Sequence, residues 1–216
     1  MVYRLAHTEI AGVQWLPKKT MALKVISLHG WLDNAGSFSS LSPYLSDYSH
    51  VALDLAGHGL SQHRPAGCFY HLWDHALDVV SVLNQSKQSV WLIGHSMGGL
   101  VALLYVEKYG EQVKGFINVE GNLASEDCFF SRKVANYGST GFTKEVLKNY
   151  QQKLTQSDSK GLREFAGALQ SASEKALFYY ASPLVDYSDN GNLIPRFTGL
   201  KILKLFVYGS ENSCLS

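Results

Sequence analysis

The sequence predicts an α/β fold in which one mostly parallel sheet, flanked by helices, is interrupted late by a helical insertion. Three observations predict it. Short apolar runs, most of them ending in glycine, recur at 23–30 (LKVISLHG), 50–57 (HVALDLAG), 89–95 (SVWLIGH) and 115–121 (GFINVEG). They do not alternate apolar with polar residues, which is the pattern of strands buried on both faces. Helical segments fall between them, as right-handed βαβ crossovers require. From about 122 to 200 strand signals vanish, and then LKILKLFVYG (200–209) restores the buried-strand pattern.

Taken in order, YRLAHTEIAGVQW (3–15) reads as a short hairpin with its AG near the turn. SFSSLSPYLSD (37–47), YHLWDHALDVVSVLNQ (70–85) and MGGLVALLYVEKYG (97–110) read as helices. In the second, Leu72, Ala76, Val79, Val80 and Leu83 share one helical face. The stretch 122–199 is helical and aromatic-rich, as in TKEVLKNYQQKLTQ and LREFAGALQSASEKALFYYA. Because the sheet resumes after it, 122–199 reads as an insertion into a core made of 1–121 and 200–216, not as a domain in tandem.

Composition bounds the partners. The chain has 216 residues, is 46% apolar and 17% charged, and carries a net charge of +1. That is an ordinary soluble globular composition, with no electrostatic reason to expect nucleic acid or an anionic membrane. Cys68, Cys128 and Cys214 form no CxxC or zinc-ligand spacing, so no metal and no cofactor is expected. No signal-peptide core opens the chain and about 18 apolar residues never run together, so a cytoplasmic location without a membrane span is expected.

The chemistry concentrates in VWLIGHSMGGLVALLYV (90–106). A serine at the tip of a strand-to-helix turn sits in strained backbone geometry, and that turn closes only if its neighbours two residues away are small. Gly94 and Gly98 meet that need, and Gly99 lets the following helix lie against the sheet. A second strand exit, LHGWLDNAGSF, offers a backbone N–H at Trp31 that can converge with the N–H of Met97. Two such donors make an oxyanion hole. In DLAGHGLSQ (54–62), Asp54 reads as a structural residue that fixes its loop.

HGW, DLAGHGLS and GHSMGG, in this order and spacing, resemble the α/β-hydrolase superfamily, and most closely its serine hydrolases with a helical cap. The resemblance implies the α/β-hydrolase fold, Ser96 as nucleophile, Trp31 and Met97 as oxyanion donors, and 122–199 as a cap over an acyl site. It implies hydrolysis of a carboxylic ester or related small-molecule acyl substrate through an acyl-enzyme. The serine argues against the epoxide hydrolases and haloalkane dehalogenases, which resemble this fold but use an aspartate. Phe129, Phe130, Tyr150, Phe178, Tyr179 and Tyr180 are candidates for an apolar acyl site, although core packing explains most of them.

In this family the triad runs serine, acid, histidine. Gly209-Ser210-Glu211-Asn212 places Asn212 where the acid is usual, and an amide carries no charge to stabilise an imidazolium. Glu120, at the end of the strand before the cap, is the preferred acid; Glu211 is the alternative. All eight histidines (7, 29, 50, 58, 63, 71, 75 and 95) precede Ser96. In the family the base follows one more strand, so the sequence reads as truncated, with a final strand and helix missing. Two expectations follow: a serine hydrolase whose last segment lies outside this sequence, or an inactive fragment or ligand-binding pseudoenzyme. On either, residues 1–216 are expected to hydrolyse esters poorly and to self-associate through the sheet edge at 202–209.

Overall fold

Seven strands form one sheet in the order β1-β2-β4-β3-β5-β6-β7. They are β1 (Val2–Arg4), β2 (Glu9–Trp15), β3 (Lys24–Leu28), β4 (Ser49–Leu53), β5 (Val90–His95), β6 (Val113–Val119) and β7 (Leu203–Val207). The computed structural model describes residues 1–18, 23–65, 68, 70–85, 88–141, 144–169 and 174–209. From β4 across β3, β5 and β6 to β7 every pairing is parallel, whereas β1 and β2 add antiparallel to one side. The parallel strands are the expected apolar runs, and the fold is the α/β-hydrolase fold.

The hairpin turns earlier than its glycine suggests. Leu5 N–H donates to Thr8 O at 2.9 Å, so the reversal lies at 5–8 and Gly12 stands inside β2. A Cβ on Gly12 would lie 2.6 Å from Ala52 O of β4, so this glycine serves strand contact, not the turn. The helix expected at 37–47 is two short 3₁₀ segments, Ala35–Ser40 and Ser42–Leu45. Asn34 caps the first through Gly36 N–H at 2.8 Å, and Pro43 supplies no N–H to continue it.

Helix α1 (Leu72–Asn84) and helix α2 (Met97–Tyr109) cover one face of the sheet. All ten residues from Met97 to Val106 are buried, which is why α2 carries apolar residues on every side. On the other face a smaller cluster, Val25, Ala35, Phe38, Ala52 and Ile93, is packed under the 3₁₀ segments. Between β6 and β7 the chain runs through α3 (Phe129–Gly141), α4 (Lys144–Thr155), α5 (Lys160–Leu169), α6 (Glu174–Asn190) and α7 (Leu193–Gly199). Among the described residues no helix is long and apolar enough to cross a membrane.

β7 carries the apolar pattern of a buried strand but stands where the edge at 202–209 was expected: Leu203 and Leu205 are 68% and 55% exposed. It is the outermost strand, and among the described residues only β6 pairs with it. An apolar strand at an edge has a neighbour on one side only.

Candidate active site

β3 and β5 are adjacent in the sheet, but the chain leaves β3 toward β4 and returns to the other side as β5. Parallel sheets open a crevice at such a reversal, at the carboxyl ends of the strands. Ser96 lies there, directly after β5 and before α2, with φ 50° and ψ −120°. A non-glycine residue with positive φ stores on the order of 1–3 kcal/mol of strain. Two contacts hold it: Ser96 N–H donates to Val119 O at 3.0 Å, and Ser96 O accepts from Gly99 N–H at 2.9 Å. The glycines are demanded by backbone atoms. A Cβ on Gly94 would lie 2.5 Å from Gly98 O, and one on Gly98 would lie 2.2 Å from Leu28 O.

The exit of β3 packs against this turn. A Cβ on Gly30 would lie 3.1 Å from both Ser96 Cβ and His95 Nδ1, so any side chain there would press on the serine. Asp33 N–H donates to Gly30 O at 3.3 Å, closing a tight turn that contains Trp31. Met97 is the first residue of α2, and an N–H in a first helical turn has no partner within the helix. The structure therefore brings Ser96, Trp31 and Met97 to one end of the sheet. Asp54 holds the neighbouring loop: its carboxylate accepts from Ala35 N–H at 2.7 Å and Leu60 N–H at 2.9 Å.

Register puts Glu120 beside the serine. His95 pairs with Val119 across β5 and β6, so the residues that follow them stand level. Glu120 has φ 47°, its N–H donates to Val207 O at 2.8 Å, and its carboxylate accepts from Gly209 N–H at 2.9 Å. It thus ties the ends of β6 and β7 together. Glu211, the alternative acid, and Asn212 lie outside the described residues.

The histidines are committed in varied ways. His29 Nε2 accepts from Leu55 N–H at 2.9 Å, and its Nδ1 faces Gly30 O at 2.7 Å. His50 meets Ser27 Oγ at 2.8 Å, and burial pushes its pKa down to about 4. Burial also lowers His95, against the opposing pull of Asp33 and Glu120. His7 pairs with Asp78 at 2.9 Å.

The hydroxyl of Ser96 points its proton at an amide. Ser96 Oγ donates to Asn122 Oδ1 at 3.1 Å. Asn122 went unnoticed in the sequence; the one signal for it was a polar residue two positions after Glu120, the acid at the strand end. Phe130 of α3 packs on Trp31 with ring centroids 5.4 Å apart and stacks on Tyr150 of α4 at 4.2 Å. Phe130 and Tyr150, but not Trp31 or Ser96, line a cleft of about 670 Å³ between α3 and α4, together with Val134, Leu147, Lys133 and Lys153. Of the other aromatic candidates, Tyr180 is wholly buried in the core, Tyr179 is 39% exposed, and the side chain of Phe129 lies outside the described residues.

Known proteins resemble this chain in sequence and fold. The family model for the α/β hydrolase fold matches residues 25–204. A serine hydrolase-like protein of Danio rerio is 43% identical over 113 residues, half of this chain and 33% of that protein. A pimeloyl-[acyl-carrier protein] methyl ester esterase of Shewanella woodyi is 32% identical over 142 residues, 66% of this chain and 50% of the relative. The chain thus spans a third to a half of the length of these relatives. Among solved structures, a hypothetical protein of Pseudomonas aeruginosa PAO1 is 27% identical with a TM-score of 0.72, covering 98% of this chain and 81% of its own. A thermophilic esterase of Thermogutta terrifontis shares the fold at 20% identity and a TM-score of 0.73, over 94% of this chain and 75% of its own. A match that runs from β3 into β7 leaves one assignment: the chain belongs to the α/β hydrolase fold family.

Proposed function

We propose that this chain supplies the nucleophile and the oxyanion donors of a serine hydrolase that cleaves carboxylic esters through an acyl-enzyme. Ser96 Oγ attacks the ester carbonyl carbon, and the N–H groups of Trp31 and Met97 take the charge that develops on the carbonyl oxygen. The C–O bond to the alcohol then breaks, the alcohol leaves with the proton that Oγ has given up, and water later hydrolyses the serine ester. Glu120 is assigned as the acid that orients the base, with Glu211 as the alternative. Residues 122–199 act as a cap, and the Phe130–Tyr150 cleft receives the apolar acyl group. The observation that carries this reading is the strained φ of Ser96 at the crevice, with the Gly30 turn packed on it. The methyl ester esterase relative supports a carboxylic ester as the substrate class.

A second reading is a binding protein that does not turn over. The Ser96–Asn122 hydrogen bond favours it, because an amide oxygen holds a hydroxyl but does not remove its proton. One experiment separates the two. The full-length protein as its gene encodes it, and its Ser96→Ala variant, are treated with a fluorophosphonate probe and with p-nitrophenyl acetate. Labelling and an ester burst that both vanish in Ser96→Ala support the hydrolase. No labelling, together with saturable binding of an apolar ester, supports the binding protein.

A further inference from the structure

Leu32 sits in the oxyanion turn at a position its own side chain disfavours. It is the third residue of the turn at 30–33, and its φ is 70°. Turns with positive φ at that position normally take glycine or asparagine there. Leu32 is wholly buried, so the side chain cannot relax outward. Something must hold the peptide that joins Trp31 to Leu32, and that peptide directly follows the proposed Trp31 donor.

The holding group is His58. Leu32 N–H donates to His58 Nε2 at 3.3 Å. On the other side of the ring, Nδ1 lies 3.2 Å from Ala56 O, an arrangement satisfied by one proton on Nδ1 and a free lone pair on Nε2. Burial, with His29 nearby, pushes the pKa of His58 down to about 3, in keeping with a neutral ring. The ring packs between His29 at 5.0 Å and Tyr180 at 5.2 Å. Tyr180 comes from α6, in the helical segment between β6 and β7. It is fully buried and donates its hydroxyl to the same Ala56 O at 2.8 Å, while that hydroxyl also meets Nε2 of His75 on α1.

We infer that His58 is a positioning residue: its Nε2 lone pair holds the strained oxyanion turn in place, and Tyr180 makes that hold depend on α6 being docked. This rests on the serine-hydrolase reading for its catalytic meaning, but not for its geometry. Seating of the helical segment and readiness of the oxyanion donors then become one event. When α6 lifts, Ala56 loses the tyrosine proton, the His58 ring loses a packing neighbour, and the Leu32 peptide is free to leave its positive φ.

The test uses four variants of the full chain and two readouts. His58→Phe keeps an aromatic ring but has no acceptor; His58→Gln carries an amide oxygen that reaches about as far as Nε2; His58→Asn carries one that falls short; Tyr180→Phe removes only the hydroxyl. Hydrogen exchange of the peptide spanning 29–34 reports the turn itself. The fluorophosphonate reaction of Ser96 is split into limiting rate and half-saturating concentration.

Expected are exchange at 29–34 faster by about tenfold or more in His58→Phe and His58→Asn, near wild type in His58→Gln, and intermediate in Tyr180→Phe. The limiting rate should fall by about 10- to 100-fold in the first two, with half-saturation unchanged and recovery in His58→Gln. If His58→Phe does not fold, the asparagine–glutamine pair decides. Equal exchange at 29–34 in His58→Asn and His58→Gln overturns the hold, and wild-type exchange in Tyr180→Phe overturns the coupling to α6. An unreactive wild-type Ser96 removes the hydrolase reading alone, and exchange then still decides whether His58 holds the turn.

Discussion

Ser96 and Asn122 share a single hydrogen bond, and the remaining contacts of Asn122 fix its direction. Its amide nitrogen donates to Asp127 O at 3.2 Å and faces Cys128 Sγ at 3.4 Å, leaving the oxygen toward the serine. Cys128 Sγ meets Ser188 Oγ of α6 at 3.0 Å, so the serine is linked through one amide to the helical segment. Replacing Asn122 by alanine strands these buried groups. The expected loss is about 1–3 kcal/mol of stability, read from urea unfolding. A change below about 0.5 kcal/mol, the scatter of surface substitutions, would show that the amide is not part of a buried network.

Two glycines should respond in opposite directions to the same substitution. Gly98→Ala places a methyl 2.2 Å from the Leu28 carbonyl, a backbone atom that cannot step aside. A cost of about 1–3 kcal/mol or more is expected, and much of the protein should become insoluble. Gly167→Ala, in the exposed part of α5 with nothing within 4 Å, should stabilise by about 0.5–1 kcal/mol. Thermal midpoints moving the same way in both variants would contradict the packing described around β5.

Acid should weaken the fold before its carboxylates titrate. His58 and His75 are fully buried; burial first, and then His29 for the one and Arg64 for the other, keep them neutral, with His58 near 3. The unfolded chain takes up these protons near pH 6.5 and the folded chain does not. Stability therefore falls as pH drops below about 6.5, by up to about 1.4 kcal/mol per pH unit for each group. Asp78, raised by burial against the pull of Arg64 and His7, acts in the opposite sense at lower pH, since the folded state takes its proton first. Urea midpoints at pH 7.5 and 5.0 check the sign, and His75→Gln should flatten the slope. Equal midpoints in the wild type would mean that the two rings are hydrated or charged.

The outer strand should make the chain associate. Leu203, Leu205 and Val207 along β7, and Tyr208 just after it, stand 40–68% exposed, beside backbone groups that only β6 meets among the described residues. Sedimentation velocity of residues 1–216 is expected to show dimers or larger species, and Leu205→Lys to shift them toward monomer. A monomeric wild type at about 100 µM would remove this expectation.

The parallel strands were legible because each is a short, mostly apolar run without strict alternation, and the Ser96 turn because Gly94 and Gly98 answer to backbone atoms a few residues or one strand away. Long-range contacts were not. The Leu32–His58 and Ser96–Asn122 bonds each join residues 26 apart, and the sheet order brings them together, not any local pattern. Local signals also misled where a neighbour overruled them. Gly12 read as a turn residue but yields space to Ala52 O, and the helix read at 37–47 is broken into two 3₁₀ segments. Glu120 was preferred to Glu211 for its place at a strand end; it directly follows β6, while Glu211 lies outside the described residues.

The position of α3 to α7 between β6 and β7 has a consequence for biogenesis. β6 is complete at Val119, but its outer partner begins only at Leu203. At about 5–20 residues per second, a ribosome needs roughly 4–17 s to make the intervening chain. During that interval the inner sheet can already be paired around β3 while the far side of β6 has no neighbour. A nascent chain stalled within the helical segment would present Phe116, which packs on Phe197 of α7 in the finished fold, to whatever chaperone waits at the exit tunnel.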